Sequence, residues 1–215
     1  MFSGSFSSSA EIVLRTSAQG VLDRFLSEPG EGRWHPNGFA VFDLGDVEGL
    51  GQMRFHVWPS GIRVALEGQP AIHSHPWDMC SLVIAGCYRD TLYRARQFNV
   101  DEPGRLQGYS VQFGSGDQGD QLCLDSMWYD VTAEQERTVT KGSLHQIPAG
   151  VLHAAQIPLH TCVATLLITS KFINLSKLLL LGDGNFDKKS YVRPAVSVEE
   201  LDHLRADLMN VLMIL

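Results

Sequence analysis

The sequence predicts an all-β fold, either a sandwich or a barrel, with one helix near each end. From Ala40 to Lys171, apolar runs of strand length alternate with turn residues, and no helical period separates them. Many short strands without intervening helices are typical of sandwiches and barrels. Two further segments, one before Ala40 and one after Lys171, show the spacing of amphipathic helices.

The first predicted helix covers about residues 10–26. Ser8 and Glu11 have the spacing of a capping box, in which each side chain accepts a hydrogen bond from the backbone of the other. Pro29, followed by Gly30 and Gly32, is expected to end this helix. Behind the capping box, apolar residues recur at helical spacing: Ile12, Val13, Val21, Leu22, Phe25 and Leu26.

The predicted strands begin with a hairpin, in which residues 55 and 57 and residues 62, 64 and 66 flank a turn at Pro59-Ser60-Gly61. Further strands are predicted at residues 82–85, 88–94, 122–131, 138–140, 145–147 and 162–171. Segment 104–120 contains five glycines together with Gln, Ser and Asp. That composition predicts a mobile loop and a candidate lid.

A second helix is predicted at residues 197–212, after a turn-rich stretch at residues 182–185. Ser197 and Glu200 again have the spacing of a capping box. One apolar stripe on this helix is expected to pack on the barrel or on a second subunit, and it consists of Val198, Leu201, Leu204, Leu208 and Val211.

Composition and charge exclude several classes of partner and location. The 215 residues carry 17 basic and 24 acidic side chains, a formal net charge of −7, and the basic residues do not cluster. This argues against a nucleic-acid partner or an anionic membrane surface. No apolar run approaches the roughly 18 residues of a membrane span, and the first residues lack the features of a secretory signal. Four cysteines without a CxxC pair fit free thiols. We therefore expect a soluble cytoplasmic protein.

Two short segments carry histidines in a pattern that indicates a metal site. His73 and His75 are two residues apart at the entrance to a predicted strand, so both imidazoles point to the same face. His153 follows a Pro148-Ala-Gly150 turn that can direct it into the same interior. Three converging imidazoles leave coordination positions open, and Fe, Ni, Cu or Zn bind such nitrogen ligands.

These segments resemble the two motifs of the cupin superfamily, which are HxH followed by an acidic residue and a Gly, and G-x5-P-x-G-x2-H. The matching residues are His73, His75 and Gly86 in the first motif and Gly142, Pro148, Gly150 and His153 in the second. The resemblance implies a double-stranded jelly-roll barrel over residues 51–172. We expect an N-terminal helix and lead-in at residues 1–50 and a C-terminal extension with its helix at residues 173–215.

The sequence departs from the cupin pattern where the usual Glu stands, because that position holds Cys80. Asp78 lies nearby and could point inward as a metal ligand or as an acid/base group, or could cap the turn after Pro76. A cysteine in this position resembles the thiol dioxygenases, but the Ser-x-His-x-Tyr run of that branch is missing from this sequence. His145 precedes the Pro-x-Gly turn and is either a catalytic or orienting group or a structural histidine.

The resemblance implies a metal-dependent enzyme that acts on a small polar molecule. The expected ligands are His73, His75 and His153, with Asp78 as a candidate fourth ligand, and the expected catalytic residues are Asp78 and His145. Fe(II) is favoured, which predicts a dioxygenase or a related oxidative enzyme, and Zn, Ni or Mn would instead favour a non-redox isomerase, cyclase or lyase. A non-catalytic protein that binds a small molecule is the third hypothesis. A homodimer is expected through a sheet edge or the C-terminal helix.

Overall fold

Two antiparallel sheets face each other and carry a helix near each end of the chain. The computed structural model describes residues 4–61, 63, 65, 68–114, 119–171, 178–183 and 188–213. Within them the predicted all-β class, a jelly roll with flanking N- and C-terminal helices, is confirmed. None of the helices in this described part is long and apolar enough to cross a membrane.

The elements follow one another in a simple order. They are α1 (Gly4–Ser27), β1 (Gly32–His35), β2 (Phe39–Val47), β3 (Gly51–Trp58), β4 (Ile72–His73), β5 (Met79–Ala85), β6 (Cys87–Phe98), β7 (Leu106–Gln112), β8 (Asp120–Thr140), β9 (Leu144–Ile147), β10 (Leu152–Gln156), β11 (Val163–Ser170), β12 (Leu179–Gly182), β13 (Lys188–Tyr191) and α2 (Val198–Met213).

Both sheets join strands that are far apart in the sequence. The six-stranded sheet has the order β1-β2-β3-β11-β5-β9, and the seven-stranded sheet has the order β13-β8-β6-β10-β4-β12-β7, with β8 also paired to β7. The six-stranded sheet includes β1 and β2, which precede Gly51, and the seven-stranded sheet includes β12 and β13, which follow residue 172. The two sheets therefore extend on both sides of residues 51–172, the range expected for the barrel.

The prediction of a loop over residues 104–120 is wrong for its central part, because β7 occupies residues 106–112 and pairs with both β8 and β12. Tyr109 is fully buried in this strand. Gly108 serves close packing, since a Cβ atom there would lie 2.6 Å from the Tyr129 ring. The glycines of this segment thus do not all indicate mobility. Residues 115–118 lie outside the described part of the chain.

The strand expected at residues 62, 64 and 66 also lies outside the described residues. Within the described part of the chain, β3 pairs with β2 and β11. The two capping boxes have opposite outcomes. The first is wrong, because α1 begins at Gly4 and Ser8 lies inside it, where Glu11 accepts a hydrogen bond from Arg15 Nε at 2.8 Å. The second is confirmed.

At the start of α2, Ser197 N donates to Glu200 Oε2 at 2.7 Å, and Glu200 N donates to Ser197 Oγ at 3.2 Å. This reciprocal pair satisfies two backbone donors that a helix start leaves without an intrahelical acceptor. The apolar stripe that follows is buried at Leu201, Leu204 and Leu208, within the main core of this chain.

The main core lies between the two helices and the outer face of the six-stranded sheet. It includes Leu14 and Phe25 from α1, Phe55 from β3 and Leu166 from β11. Each such side chain stabilises the fold by about 1.5–3 kcal/mol when fully buried. Strand β3 shows how the sheet divides its residues, because its buried and half-exposed positions alternate strictly. Its buried residues face the helices, and the others face the second sheet.

The turn between β5 and β6 gives a stability prediction. Gly86 has a φ of +75°, and a Cβ atom there would lie 2.3 Å from the backbone oxygen of Cys162. Gly142 has a φ of +80° but open space around its Cβ position. We expect Gly142→Ala to lower the free energy of unfolding by about 1 kcal/mol and Gly86→Ala by about 3 kcal/mol or more. Urea denaturation measures both, and equal losses would contradict this account.

Candidate metal centre

A cavity of about 1290 Å³ lies between the inner faces of the two sheets. Strands β4 and β10 of the seven-stranded sheet present His73 and His153 to it, and β3 of the six-stranded sheet presents Arg54, His56 and Trp58. The cavity therefore has one wall of histidines and an opposite wall with a cation and aromatic rings.

The structure brings His73, His75 and His153 together, with one ligand nitrogen of each within 4.8 Å of the others. His73 on β4 lies directly opposite His153 on β10. Gly150 N donates to the backbone oxygen of His75 at 2.8 Å, which ties the Pro-x-Gly turn to the HxH segment. The HxH segment and the Pro-x-Gly turn are thus held together where β4 pairs with β10.

The hydrogen bonds of the rings determine which nitrogens can bind a metal ion. His73 Nδ1 lies 2.9 Å from the carbonyl oxygen of Ala71, and His153 Nδ1 lies 2.9 Å from Asp90 Oδ1. Because these oxygens only accept, both Nδ1 atoms carry the proton, and neutral rings then have a lone pair on Nε2. Both Nε2 atoms are therefore available as ligands.

The spacing of the nitrogens fits one coordination shell. His75 Nε2 lies 3.2 Å from His153 Nε2. Two imidazole nitrogens that bind one ion at about 2.0–2.1 Å lie roughly 3.0–3.4 Å apart in neighbouring positions. His75 Nδ1 is buried and has no hydrogen-bond partner among the described residues. The donor set, three imidazoles with positions left open, suits Fe, Ni, Zn or Cu.

Burial keeps two of these rings in the neutral form that binds metal ions. Burial, followed by the nearby His153, lowers the pKa of His73 to about 3. Burial, followed by His73 and His153, lowers the pKa of His75 well below its usual value. At neutral pH both rings are therefore uncharged and no proton has to leave before a cation binds.

Asp90 holds the third ring, and the sequence analysis did not identify it. Its Oδ1 accepts from His153 Nδ1 at 2.9 Å, and its Oδ2 accepts from His145 Nε2 at 3.0 Å and from Arg137 Nη2 at 3.2 Å. Burial by itself raises the pKa of Asp90, but the hydrogen bonds from His145 and His153 bring that pKa well below its usual value. Asp90 is thus a buried carboxylate that fixes the orientation of His153.

One signal in the sequence could have indicated Asp90. Tyr88 and Asp90 are two residues apart on β6 and both are buried, so the acid occupies an inward position of the strand. A carboxylate at an inward strand position needs a partner, because an unpaired buried charge is costly.

His145 is buried and satisfied on both sides of its ring. Its Nε2 donates to the Asp90 carboxylate, so its Nδ1 accepts, and the Tyr88 hydroxyl donates to Nδ1 at 2.7 Å. Burial lowers the pKa of His145, although Asp90 opposes the shift. Burial, followed by Asp90, raises the pKa of Tyr88 above its usual value. Tyr88 and His145 both line the cavity. The hydrogen bonds therefore connect the cavity to Asp90 through Tyr88 and His145.

The structure does not bring Asp78 into the group of three histidines. Asp78 is buried just before β5, and its Oδ1 accepts a hydrogen bond from Ala149 N at 2.8 Å. Its carboxylate therefore holds the Pro-x-Gly turn and is not among the residues that line the cavity. Cys80 is fully buried on the helix side of the sheet, and burial raises the pKa of its thiol to about 11.

The opposite wall contains two further histidines. His35 accepts a hydrogen bond at Nδ1 from Asn37 N at 3.1 Å and stacks on Phe39 with 4.3 Å between ring centroids. His56 also packs on Phe39, at 4.9 Å, and its buried Nε2 has no hydrogen-bond partner among the described residues. Burial, followed by Arg54, lowers the pKa of His56 to about 3.

Two antiparallel sheets enclose three histidines that come from an HxH segment and a G-x5-P-x-G-x2-H turn, as the resemblance to the cupin motifs predicts. No family model and no curated protein matches the chain.

Among solved structures, the chain is similar to the capsular polysaccharide assembling protein CapF from Staphylococcus aureus, with 16% identity and a TM-score of 0.37 over 77% of this chain and 35% of that one. It is similar to an oxalate decarboxylase variant from Bacillus subtilis, with 16% identity and a TM-score of 0.34 over 70% and 32% of the two chains. A cupin-2 domain from Rhodospirillum rubrum has 16% identity and a TM-score of 0.35 over 80% and 76%. The chain spans about a third of the length of the first two proteins.

The neutral state of His56 predicts a pH effect on stability. Its pKa is about 3 in the folded protein, against 6.5 for an ordinary histidine. Below pH 6.5 the unfolded chain binds a proton at His56 that the folded chain does not, so this residue lowers the stability by up to about 1.4 kcal/mol per pH unit. We therefore expect His56→Phe to be more stable, relative to the wild type, at pH 5 than at pH 8. Urea denaturation at both values measures this, and an unchanged difference would refute it.

Proposed function

We propose that this chain is a metal-dependent enzyme in which His73, His75 and His153 hold a divalent metal ion and a small polar molecule reacts beside it. One observation carries the proposal: three imidazole nitrogens converge in a cavity that is large enough for a small molecule. Three protein ligands leave positions for substrate, which is the pattern of a catalytic rather than a structural metal site.

Fe(II) is the metal we favour, and Zn, Ni or Mn are the alternatives. When bound, iron would supply redox chemistry with O₂, whereas the other ions would act as Lewis acids. The first case is a dioxygenase or a related oxidative enzyme, and the second is an isomerase, a cyclase or a lyase. The three nitrogen ligands suit either.

The residues of the chain would contribute orientation, proton transfer and exclusion of water. Asp90 fixes the His153 ring through its hydrogen bond to Nδ1. Tyr88 lines the cavity and donates to His145, so the pair is placed to hold or move a proton at the Tyr88 oxygen. Leu167 and Leu180 are buried in the cavity lining and restrict the entry of water.

The Tyr88–His145 pair is the specific observation that favours the Lewis-acid alternative, because isomerisation and elimination need a group that accepts and returns a proton. His145 keeps its predicted catalytic role in this proposal, with Tyr88 as the group that meets the substrate. Asp78 has no place in it, since its carboxylate is bound to the backbone of Ala149.

The first test is the metal content of protein purified without a metal-affinity tag and reconstituted anaerobically with each candidate ion. We expect close to one equivalent of metal in the wild type and none in His73→Ala/His153→Ala. His160→Ala is the matched control, because His160 is exposed and outside the group of three. Metal that stays bound to the double variant would place the site elsewhere.

The identity of the ion and the consumption of O₂ separate the two chemistries. Iron with substrate-dependent O₂ uptake would support the oxidative reaction, and zinc, nickel or manganese without O₂ uptake would support the Lewis-acid reaction. If neither the purified nor the reconstituted protein binds metal, the enzyme proposal fails and a protein that only binds a small molecule remains.

The two buried carboxylates allow a second, sharper test. Asp90→Asn removes the charged acceptor behind His153, and we expect the affinity for the metal ion to fall by about 10- to 100-fold. Asp78→Asn keeps an oxygen that can accept from Ala149 N, and we expect metal affinity close to that of the wild type. Competition with a chromophoric chelator measures both affinities. A larger loss in Asp78→Asn would restore Asp78 as a ligand.

A further inference from the structure

Strand β3 builds the cavity wall that faces away from the histidines of the metal site. Arg54, His56 and Trp58 follow one another at every second position and all three line the cavity. Trp58 packs on Phe39 with 4.4 Å between ring centroids. The wall therefore combines a guanidinium, an imidazole and an aromatic surface within one strand.

Arg54 forms no ion pair within 4.0 Å among the described residues, although Asp43 lies opposite it in the pairing of β2 with β3. Its Nη2 donates to the neutral Gln52 side chain, and Gln52 in turn donates to Asp43. An arginine has five N–H donors in a planar fork that matches a carboxylate. Most of the fork of Arg54 is thus available for a ligand.

Two other cations of the cavity are already engaged. Arg63 donates to the carbonyl oxygens of Ile157 and Pro158, each at 2.8 Å, and Arg193 forms an ion pair with Asp120 at 2.9 Å. Arg33 is exposed and donates to the Arg193 carbonyl oxygen at 3.4 Å, so Arg54 is the half-buried cation on this wall with the capacity to bind an anion. The planar fork of a guanidinium matches the two oxygens of a carboxylate, and one guanidinium balances its single negative charge.

The charge of the cavity also favours an anion. The chain as a whole has a net charge of −7, but four basic and three acidic described side chains line the cavity: Arg33, Arg54, Arg63, Arg193, Glu31, Asp43 and Asp120. Three neutral imidazoles would leave the charge of a divalent ion uncompensated, and Arg137 offsets Asp90 behind them. An anionic ligand would thus meet positive charge at both walls.

Arg54 and His75 of the metal site share one neighbour, the Trp77 ring. The Arg54 guanidinium lies 5.8 Å from the centre of the Trp77 ring, and the same ring stacks on His75 at 5.6 Å. Arg54 and Trp77 also line a smaller pocket of about 460 Å³, but its other charged residues include Asp46 and Glu48, which repel anions.

We infer that the ligand of this cavity is a small organic acid with one carboxylate, which binds to the Arg54 guanidinium while its carbon skeleton lies against Trp58 and its other end reaches His73, His75 and His153. His56 Nε2, which is buried and without a partner among the described residues, supplies a further hydrogen bond to the acid. This inference rests on the proposed metal site for the reacting end, whereas the Arg54 contact stands without it.

Benzoate and its neutral isostere benzamide test the Arg54 contact directly, because they share a planar ring that suits Trp58. Isothermal titration calorimetry is run on the protein as purified and again after chelation of bound metal. We expect benzoate to bind about 10- to 100-fold more tightly than benzamide in both samples, in keeping with a hydrogen bond to a charged group. Equal affinities would refute the inference, and so would tighter binding of inorganic phosphate.

Two variants and one control assign the preference to this side chain. Arg54→Gln should lose the preference for benzoate, and Arg54→Lys should retain part of it, because lysine keeps the charge without the fork. Arg96→Gln removes the same charge from an exposed position on β6 and should change nothing. Thermal melting confirms that each variant is folded. A preference that survives in Arg54→Gln, or an equal loss in Arg96→Gln, would overturn the assignment.

The outcomes of these titrations distinguish a failure of this inference from a failure of the proposed function. If the protein binds no metal but Arg54 still discriminates benzoate from benzamide, the metal proposal fails and the acid-binding wall stands. If metal binds and the discrimination is absent, the acid-binding wall fails and the metal proposal stands.

Discussion

The arrangement of the site depends on one buried carboxylate, that of Asp90. Its two oxygens bind the rings of His153 and His145 from behind, and Arg137 supplies the positive charge that makes the burial of this anion tolerable. Through His153, Asp90 determines which nitrogen faces the other two histidines, and through His145 it makes the Tyr88 hydroxyl a donor. The Asp90 carboxylate thus determines which atoms of His153, His145 and Tyr88 donate and which accept a hydrogen bond.

The six-stranded sheet separates stability from chemistry. Each strand turns one face to the helices and the other to the cavity, so apolar residues such as Phe55 and Leu166 build the core while the neighbouring Arg54, His56 and Thr165 remain for a ligand. Because α1 and α2 cover the outer face, the inner face can carry polar groups without loss of the core. Burial of the inner face lowers the pKa of its histidines, such as His56 and His73, and so holds them in the neutral form.

Local spacing was sufficient to predict the longer strands between Gly51 and Ser170 other than β7, α2 with its cap, and the grouping of the three histidines, because each depends on residues close together in sequence. The strand phase could place Asp90 at an inward position, but its partners His145 and His153 are 55 and 63 residues away and do not follow from local spacing. Asp78 was expected to face inward from the phase of the strand, but β5 begins only at Met79, which frees the preceding residue to bind the turn at Ala149. The glycine content predicted a loop where β7 lies, because Gly108 serves close packing against the Tyr129 ring and does not indicate mobility.

The position of β11 between β3 and β5 affects how this chain can be made. The partner residues of β3 and β11 are more than a hundred positions apart, as in the pair Trp58 and Val163, and α1 packs on both β5 and β11. During synthesis the apolar face of α1 therefore emerges long before the strand that covers it. Closing so long a loop slows folding. The part of this face that β11 covers therefore stays exposed until Ser170 has left the ribosome, and exposed apolar surface favours aggregation in that interval.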